Sequence, residues 1–76
     1  MQNSTRLSGD EAKSLKHAML DASVKNVDVA RLAGVSPAAV SHVLAGRDPL
    51  SERIRSAIYL LVPEWAEQNL LNKYSP

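Results

Sequence analysis

The stretch "VDVARLAGVSPAAVSHVLAG", residues 27–46, has the spacing of two short helices joined by a tight turn. Ala30 places a small residue where the helices must approach closely, and Gly34, four positions later, tolerates the positive φ that the turn requires. Ser36 is a preferred N-cap residue, and Pro37 suits the first helical position. The apolar anchors of the pair are Val35, Val40 and Val43. This pattern predicts a helix-turn-helix, whose second helix can enter the major groove of DNA.

Apolar residues spaced three and four apart extend on both sides of this motif and predict five helices in all. The polar residues 1–7 are expected to be flexible. Ser8 and Glu11 form a capping-box pattern for a first helix over about 9–23, and the second covers about 26–33. The third is closed by Gly46. Ser51 caps a fourth, and the segment 63–76 contains a fifth. The predicted fold class is therefore all-α.

Length and composition exclude several other classes of protein. The 76 residues allow one domain, 1–76, and the absence of cysteine excludes disulfides and cysteine-based metal sites. The sequence has no apolar run long enough to suggest a signal peptide or a membrane span, so a cytoplasmic protein is expected. The net charge is only +1, but residues 13–55 carry seven basic and four acidic side chains. This distribution fits a locally basic face, and it fits an ordinary mixed-charge surface equally well.

The segment "VDVARLAGVSPAAVSHVLAGRDPLSERIRSAI", residues 27–58, resembles the helix-turn-helix of lac-repressor-type headpieces, including the helix start "LSERIR". The helix before the motif and the two after it are more similar to lambda-repressor and Cro-type domains. The resemblance implies a compact five-helix lambda-repressor-like DNA-binding domain. Since the chain stops at Pro76, without the large effector-binding domain of lac-type repressors, no small-molecule effector domain is expected. A small Cro-like phage or prophage repressor is the reading that this combination favours.

The same resemblance implies which residues read DNA bases. The two positions after the capping serine commonly contact base edges, and here they are Pro37 and Ala38, which offer only apolar contact. Ser41 and His42 carry the outward polar groups one turn later. His42 stands where lac-type headpieces often have a base-reading arginine, and an imidazole can donate to guanine without the two-pronged fork of arginine. A solvent-facing histidine without a role is the alternative.

Phosphate contacts position such a domain without specifying sequence. The predicted phosphate-contacting residues are Asn26, Arg31, Ser36, Arg47, Ser51, Arg53 and Arg55. A solvated surface is the alternative for the basic members of this set. Ser51 has a second role as a helix cap, and the two roles are compatible.

The last dozen residues concentrate apolar side chains beyond the motif, and domains of this kind commonly bind paired half-sites as dimers. The predicted dimer contacts are Trp65, Leu70, Leu71 and Tyr74. Completion of the monomer core is the alternative for Trp65. For the others, the prediction rests on their being more than a minimal core needs.

These features together predict a sequence-specific regulator that binds a two-fold symmetric operator in double-stranded DNA. The alternative is a small helical protein–protein interaction module. Two isolated histidines, no glycine-rich phosphate loop and no metal-ligand spacing give no support to an enzyme, so no cofactor and no metal are expected.

Overall fold

The computed structural model describes residues 6–70, and it contains five α-helices. They are α1 (Gly9–Asp21), α2 (Asn26–Ala33), α3 (Pro37–Leu44), α4 (Glu52–Leu61) and α5 (Pro63–Asn69). The all-α, five-helix prediction is confirmed. None of the helices in the described range is long and apolar enough to cross a membrane.

The helix starts follow the predicted caps. Ser8 and Glu11 form a complete capping box, in which each side chain accepts the other residue's backbone amide. The hydroxyls of Ser36 and Ser51 accept the amides three residues ahead, at 3.1 and 3.2 Å. Local side-chain hydrogen bonds of this kind are encoded by adjacent residues, which explains why the sequence located these helix starts.

The first helix ends two residues earlier than predicted. Ser23 adopts a φ of 60°, and the amide of Val24 donates a 2.8 Å hydrogen bond back to the carbonyl of Met19. This is the hydrogen bond of a Schellman ending with serine in the position usually taken by glycine. The turn brings Val24 against the core, where it is partly buried.

One core joins all five helices. Its largest side chains with less than 2% exposure are Leu15, Val29, Val40, Ile58 and Leu70. The α2 helix packs on both α3 and α4, and α5 packs on α4 and α1. This central position of α2 holds α3 at the edge of the domain, with one face free.

The start of the described chain also belongs to the core. The sequence predicted a flexible segment through residue 7, but the Leu7 side chain is buried, and its carbonyl oxygen lies beside Gly46. A small domain buries a modest core, and here that core also includes leucines outside the helices, such as Leu7 and Leu50.

Candidate nucleic-acid interface

The turn between α2 and α3 sets the angle at which α3 is presented. Gly34 is left-handed, with φ 74° and ψ 32°, and both its amide and that of Val35 donate to the Ala30 carbonyl, at 2.8 and 3.0 Å. Ala30 itself is buried at the helix contact. The small residue, the glycine and the apolar anchor thus have the roles that their spacing predicted.

The α3 helix divides into a buried and an exposed face. Val40, Val43 and Leu44 are buried in the core. The opposite face carries Ser36, Pro37, Ala38, Ser41 and His42, all of which are exposed. Four of these five side chains are small, so this face is a smooth surface with polar atoms only near its two ends. It can make close apolar contact with a groove, but it has few groups for hydrogen bonds.

Two predicted DNA-contacting residues on different helices lie against each other. The side-chain amide of Asn26, the first residue of α2, donates a 3.1 Å hydrogen bond to the hydroxyl of Ser41. Because the Ser41 oxygen accepts this bond, its own hydrogen remains able to donate outward. The pair places two polar groups at one edge of the exposed face of α3.

His42 has a neighbour that the sequence reasoning did not single out. Asp48 Oδ2 lies 3.6 Å from His42 Nδ1, and both side chains are about half exposed. The left-handed Gly46, at φ 78°, turns the chain so that residue 48 returns to the last turn of α3. The sequence signal was a glycine closing the helix with an acidic residue two positions later.

The predicted phosphate-contacting arginines differ in how much of the side chain is exposed. Arg31 is 76% exposed and lies 3.9 Å from Asp28 one turn earlier on the same helix. Arg55 is the most covered of the set, with its side chain 26% exposed and 3.9 Å from Glu52. Ion pairs of this length at a surface contribute little to stability, so both guanidinium groups can exchange partners.

Arg53 lies beside the turn of the motif. A Cβ atom built on Gly34 would be 4.0 Å from the Nη1 atom of Arg53. The guanidinium therefore sits next to the segment that leads into α3, whereas Arg55 turns back toward Glu52. The structure thus brings Arg53, although it lies on α4, to the helix-turn-helix.

Arg47 and Arg6 come together at the far end of α3. Arg6 Nε donates a 3.0 Å hydrogen bond to the backbone carbonyl of Arg47, and both residues are exposed. Arg6 was assigned to a flexible segment, so the sequence missed it as a second cation at this end of the helix. No pattern along the chain relates residues 6 and 47, since only the folded core brings them together.

The predicted dimer contacts need a correction. Leu70 is fully buried within the monomer, so the premise that it is more than the core needs is wrong. Trp65 is also buried, and its Nε1 donates a 2.8 Å hydrogen bond to the Ser14 hydroxyl, which ties α5 to α1. The domain therefore uses both side chains to close its own core. Leu71 and Tyr74 lie outside the described residues.

A metal centre would need several ligating side chains close together within residues 6–70. No cluster of three or more His, Asp or Glu side chains with the arrangement of a metal site occurs there. The polar residues that the fold brings together are instead those around α3.

Comparison with known protein families supports the assignment of α2 and α3 as a helix-turn-helix. The model of the family described as "Bacterial regulatory proteins, lacI family" matches residues 27–65, just over half of the chain, and this range includes α2, α3 and α4. No curated protein and no solved structure matches the chain significantly. The protein carries a helix-turn-helix of the kind found in DNA-binding transcription regulators, and it belongs to the lacI family of bacterial regulatory proteins.

Proposed function

We propose that this protein is a sequence-specific transcription regulator, a Cro-like phage or prophage repressor that binds a two-fold symmetric operator in double-stranded DNA as a dimer. The exposed face of α3 is the observation that carries the proposal. It is a smooth, narrow surface held rigidly by α2, and a helix with such a face fits a major groove.

Base reading on this face would be sparse. Pro37 and Ala38 offer methyl and methylene groups, which suit the methyl of thymine. Ser41 and His42 offer the polar contacts. A recognition helix that makes so few hydrogen bonds to bases gains the rest of its selectivity from the shape and deformability of the duplex.

Phosphate binding would come from both sides of this face. Ser36 and Arg53 lie near the start of α3 or the turn that precedes it. Asn26 lies beside Ser41 in the second half of α3, and Arg47 and Arg6 lie near the end of that helix. The amino end of α3 is also the positive end of its dipole, which favours a phosphate near Ser36. The remaining predicted phosphate contacts, Arg31, Ser51 and Arg55, belong to the flanking helices.

The small size of the DNA-contacting surface on one chain supports a dimer. One eight-residue helix supplies few contacts, and two-fold dimers solve this by placing two recognition helices about one turn of DNA, roughly 34 Å, apart. Since Trp65 and Leu70 are committed to the monomer core, the contact between copies would use other residues. Leu71 and Tyr74 remain predicted members of it.

Selection of bound duplexes from a random-sequence pool, followed by mobility-shift titration at several salt concentrations, tests the proposal. We expect a two-fold symmetric consensus and two chains per duplex. If each chain neutralises about three phosphates, the slope of log affinity against log salt is about −5. A slope near zero, or selection of no consensus, contradicts the proposal.

A second candidate function, a protein–protein interaction module, has one specific observation in its favour. Leu20, Leu32 and Leu60 are exposed by half or more of their surface, on three different helices. Single exposed leucines are common in globular proteins, so this support is weaker than that for DNA binding. Absence of any shift at low salt, together with an intact fold, is the result that favours the module.

A further inference from the structure

The segment after α3 folds back onto the last turn of that helix. The backbone amides of Arg47 and Asp48 both donate to the carbonyl of His42, at 2.9 and 3.3 Å. Arg6 secures the same segment from the other side through the Arg47 carbonyl. The backbone of Asp48 is therefore held next to the last turn of α3, which carries His42.

This arrangement makes the two ring nitrogens of His42 unequal. Asp48 Oδ2 is 3.6 Å from Nδ1, which is beyond hydrogen-bond distance and within the range of an ion pair when the imidazole is protonated. The negative charge of an ionised carboxylate attracts an N–H group, so it favours the tautomer that carries its proton on Nδ1. Nε2, on the other side of the ring, then has a free lone pair when the imidazole is neutral.

We infer that Asp48 is a positioning residue that selects which nitrogen His42 presents to the DNA, and that this pair gives the protein a base preference that depends on pH. The inference rests on the proposed function, because it requires α3 to lie in the major groove. It assigns a chemistry to the one aromatic ring on the exposed face of that helix.

The base that His42 prefers depends on whether its imidazole is neutral or protonated. A neutral His42 presents Nε2 as an acceptor, which fits the amino group of cytosine or adenine. A protonated His42 presents Nε2–H as a donor, which fits N7 or O6 of guanine. An arginine at this position only donates and always favours guanine, so the histidine replaces a fixed preference with a switchable one.

The charged side chains near His42 come from the segment after α3 and from the start of the described chain. Asp48 is the carboxylate against its Nδ1, and the nearby cations of this segment are Arg47 and Arg6. The contact from α2 to the exposed face of α3 is the uncharged Asn26–Ser41 pair. Histidine is the residue type in this group whose side chain can change charge in the physiological pH range.

The test compares base preference at one operator position in full-length variants. Loss of preference in His42→Ala identifies the position that His42 reads. Affinities for the four bases there are then measured at about pH 5 and about pH 8 in the parent protein, Asp48→Asn and Asp48→Glu. Asp21→Asn, which removes an exposed carboxylate from the end of α1, is the matched charge control.

In the parent protein, we expect the ratio of affinities for guanine and for cytosine or adenine to rise on the order of tenfold from the higher to the lower pH. Asp48→Asn removes most of this change, because an amide can face Nδ1 with either its oxygen or its nitrogen. Asp48→Glu retains it in part, and Asp21→Asn retains it fully. Nitrogen-15 spectra of the free protein at high pH should show the Nδ1–H tautomer of His42 in the parent and a mixture in Asp48→Asn.

Each outcome separates the inference from the proposed function. If the parent binds operator DNA with the same base preference at both pH values, or if Asp48→Asn behaves as the parent, the inference is overturned while DNA binding stands. If the nitrogen-15 spectra show the Nε2–H tautomer, the inference is overturned without any DNA measurement. If the parent binds no duplex at low salt, the proposed function fails and takes the inference with it.

Discussion

The side chain of Asn26 donates a 3.1 Å hydrogen bond to the hydroxyl of Ser41, which joins the first residue of α2 to the exposed face of α3. The core contact between these helices lies on the other side of α3, at Val40 and Val43. The Asn26–Ser41 bond is therefore a second point of attachment, and it limits rotation of α3 about its own axis.

A double-mutant cycle measures this attachment. Asn26→Ala and Ser41→Ala should interact by about 0.5 kcal/mol in the free energy of unfolding, since the bond is at the surface and competes with water. Urea titration provides the measurement. Asn26→Ala paired with Ser56→Ala, on α4 near the opposite end of α2, should be additive, and additivity of the first pair as well would show that the bond has no energetic role.

Gly34→Ala should destabilise the fold by about 1–2 kcal/mol, because an L side chain is strained at a φ of 74°. The cost is in the backbone and not in a clash, since the nearest atom to the new Cβ would be 4.0 Å away. Gly9→Ala, at the start of α1 with no atom within 4 Å of its added Cβ, is the control and should be neutral or slightly stabilising. Equal effects of the two substitutions on the thermal midpoint would contradict the assigned role of Gly34.

Leu70→Ala should lower the free energy of unfolding by about 2–5 kcal/mol, because it leaves a cavity at a fully buried site. The effect should not depend on protein concentration, since the side chain packs within one chain. Leu20→Ala is the control, because Leu20 is 75% exposed and its loss should change stability by less than about 0.5 kcal/mol. If the change in the free energy of unfolding caused by Leu70→Ala became smaller on dilution of the protein, Leu70 would instead belong to a contact between copies.

Arg47→Ala should weaken binding to all duplexes by a similar factor, because a phosphate contact carries no sequence information. The slope of log affinity against log salt should become less steep by about one for each site lost. Arg47→Lys, which keeps the charge, should restore most of the slope. A changed consensus with an unchanged slope would assign Arg47 to base reading.

Much of the motif was predictable because its determinants are neighbours in sequence. The caps Ser36 and Ser51 bond amides three residues away, and Gly34 turns the chain within the motif itself. The exposed face of α3 followed from helical spacing alone. The residues that surround that face were not predictable in the same way. Arg6 contacts the carbonyl of residue 47 because the neighbouring Leu7 is buried in the core, which brings two distant parts of the sequence together.

By itself, the sequence determined the five helices, the turn between α2 and α3, and which side of α3 remains free, because capping and apolar spacing act over three or four residues. Only the tertiary structure decided the fate of Leu70 and Trp65 and the surroundings of His42. A leucine can serve a core or an interface with the same chemistry, so the choice depends on whether the rest of the chain leaves it uncovered. In this domain the packing of the helices buries Trp65 and Leu70 within the monomer and leaves His42 at the surface beside Asp48.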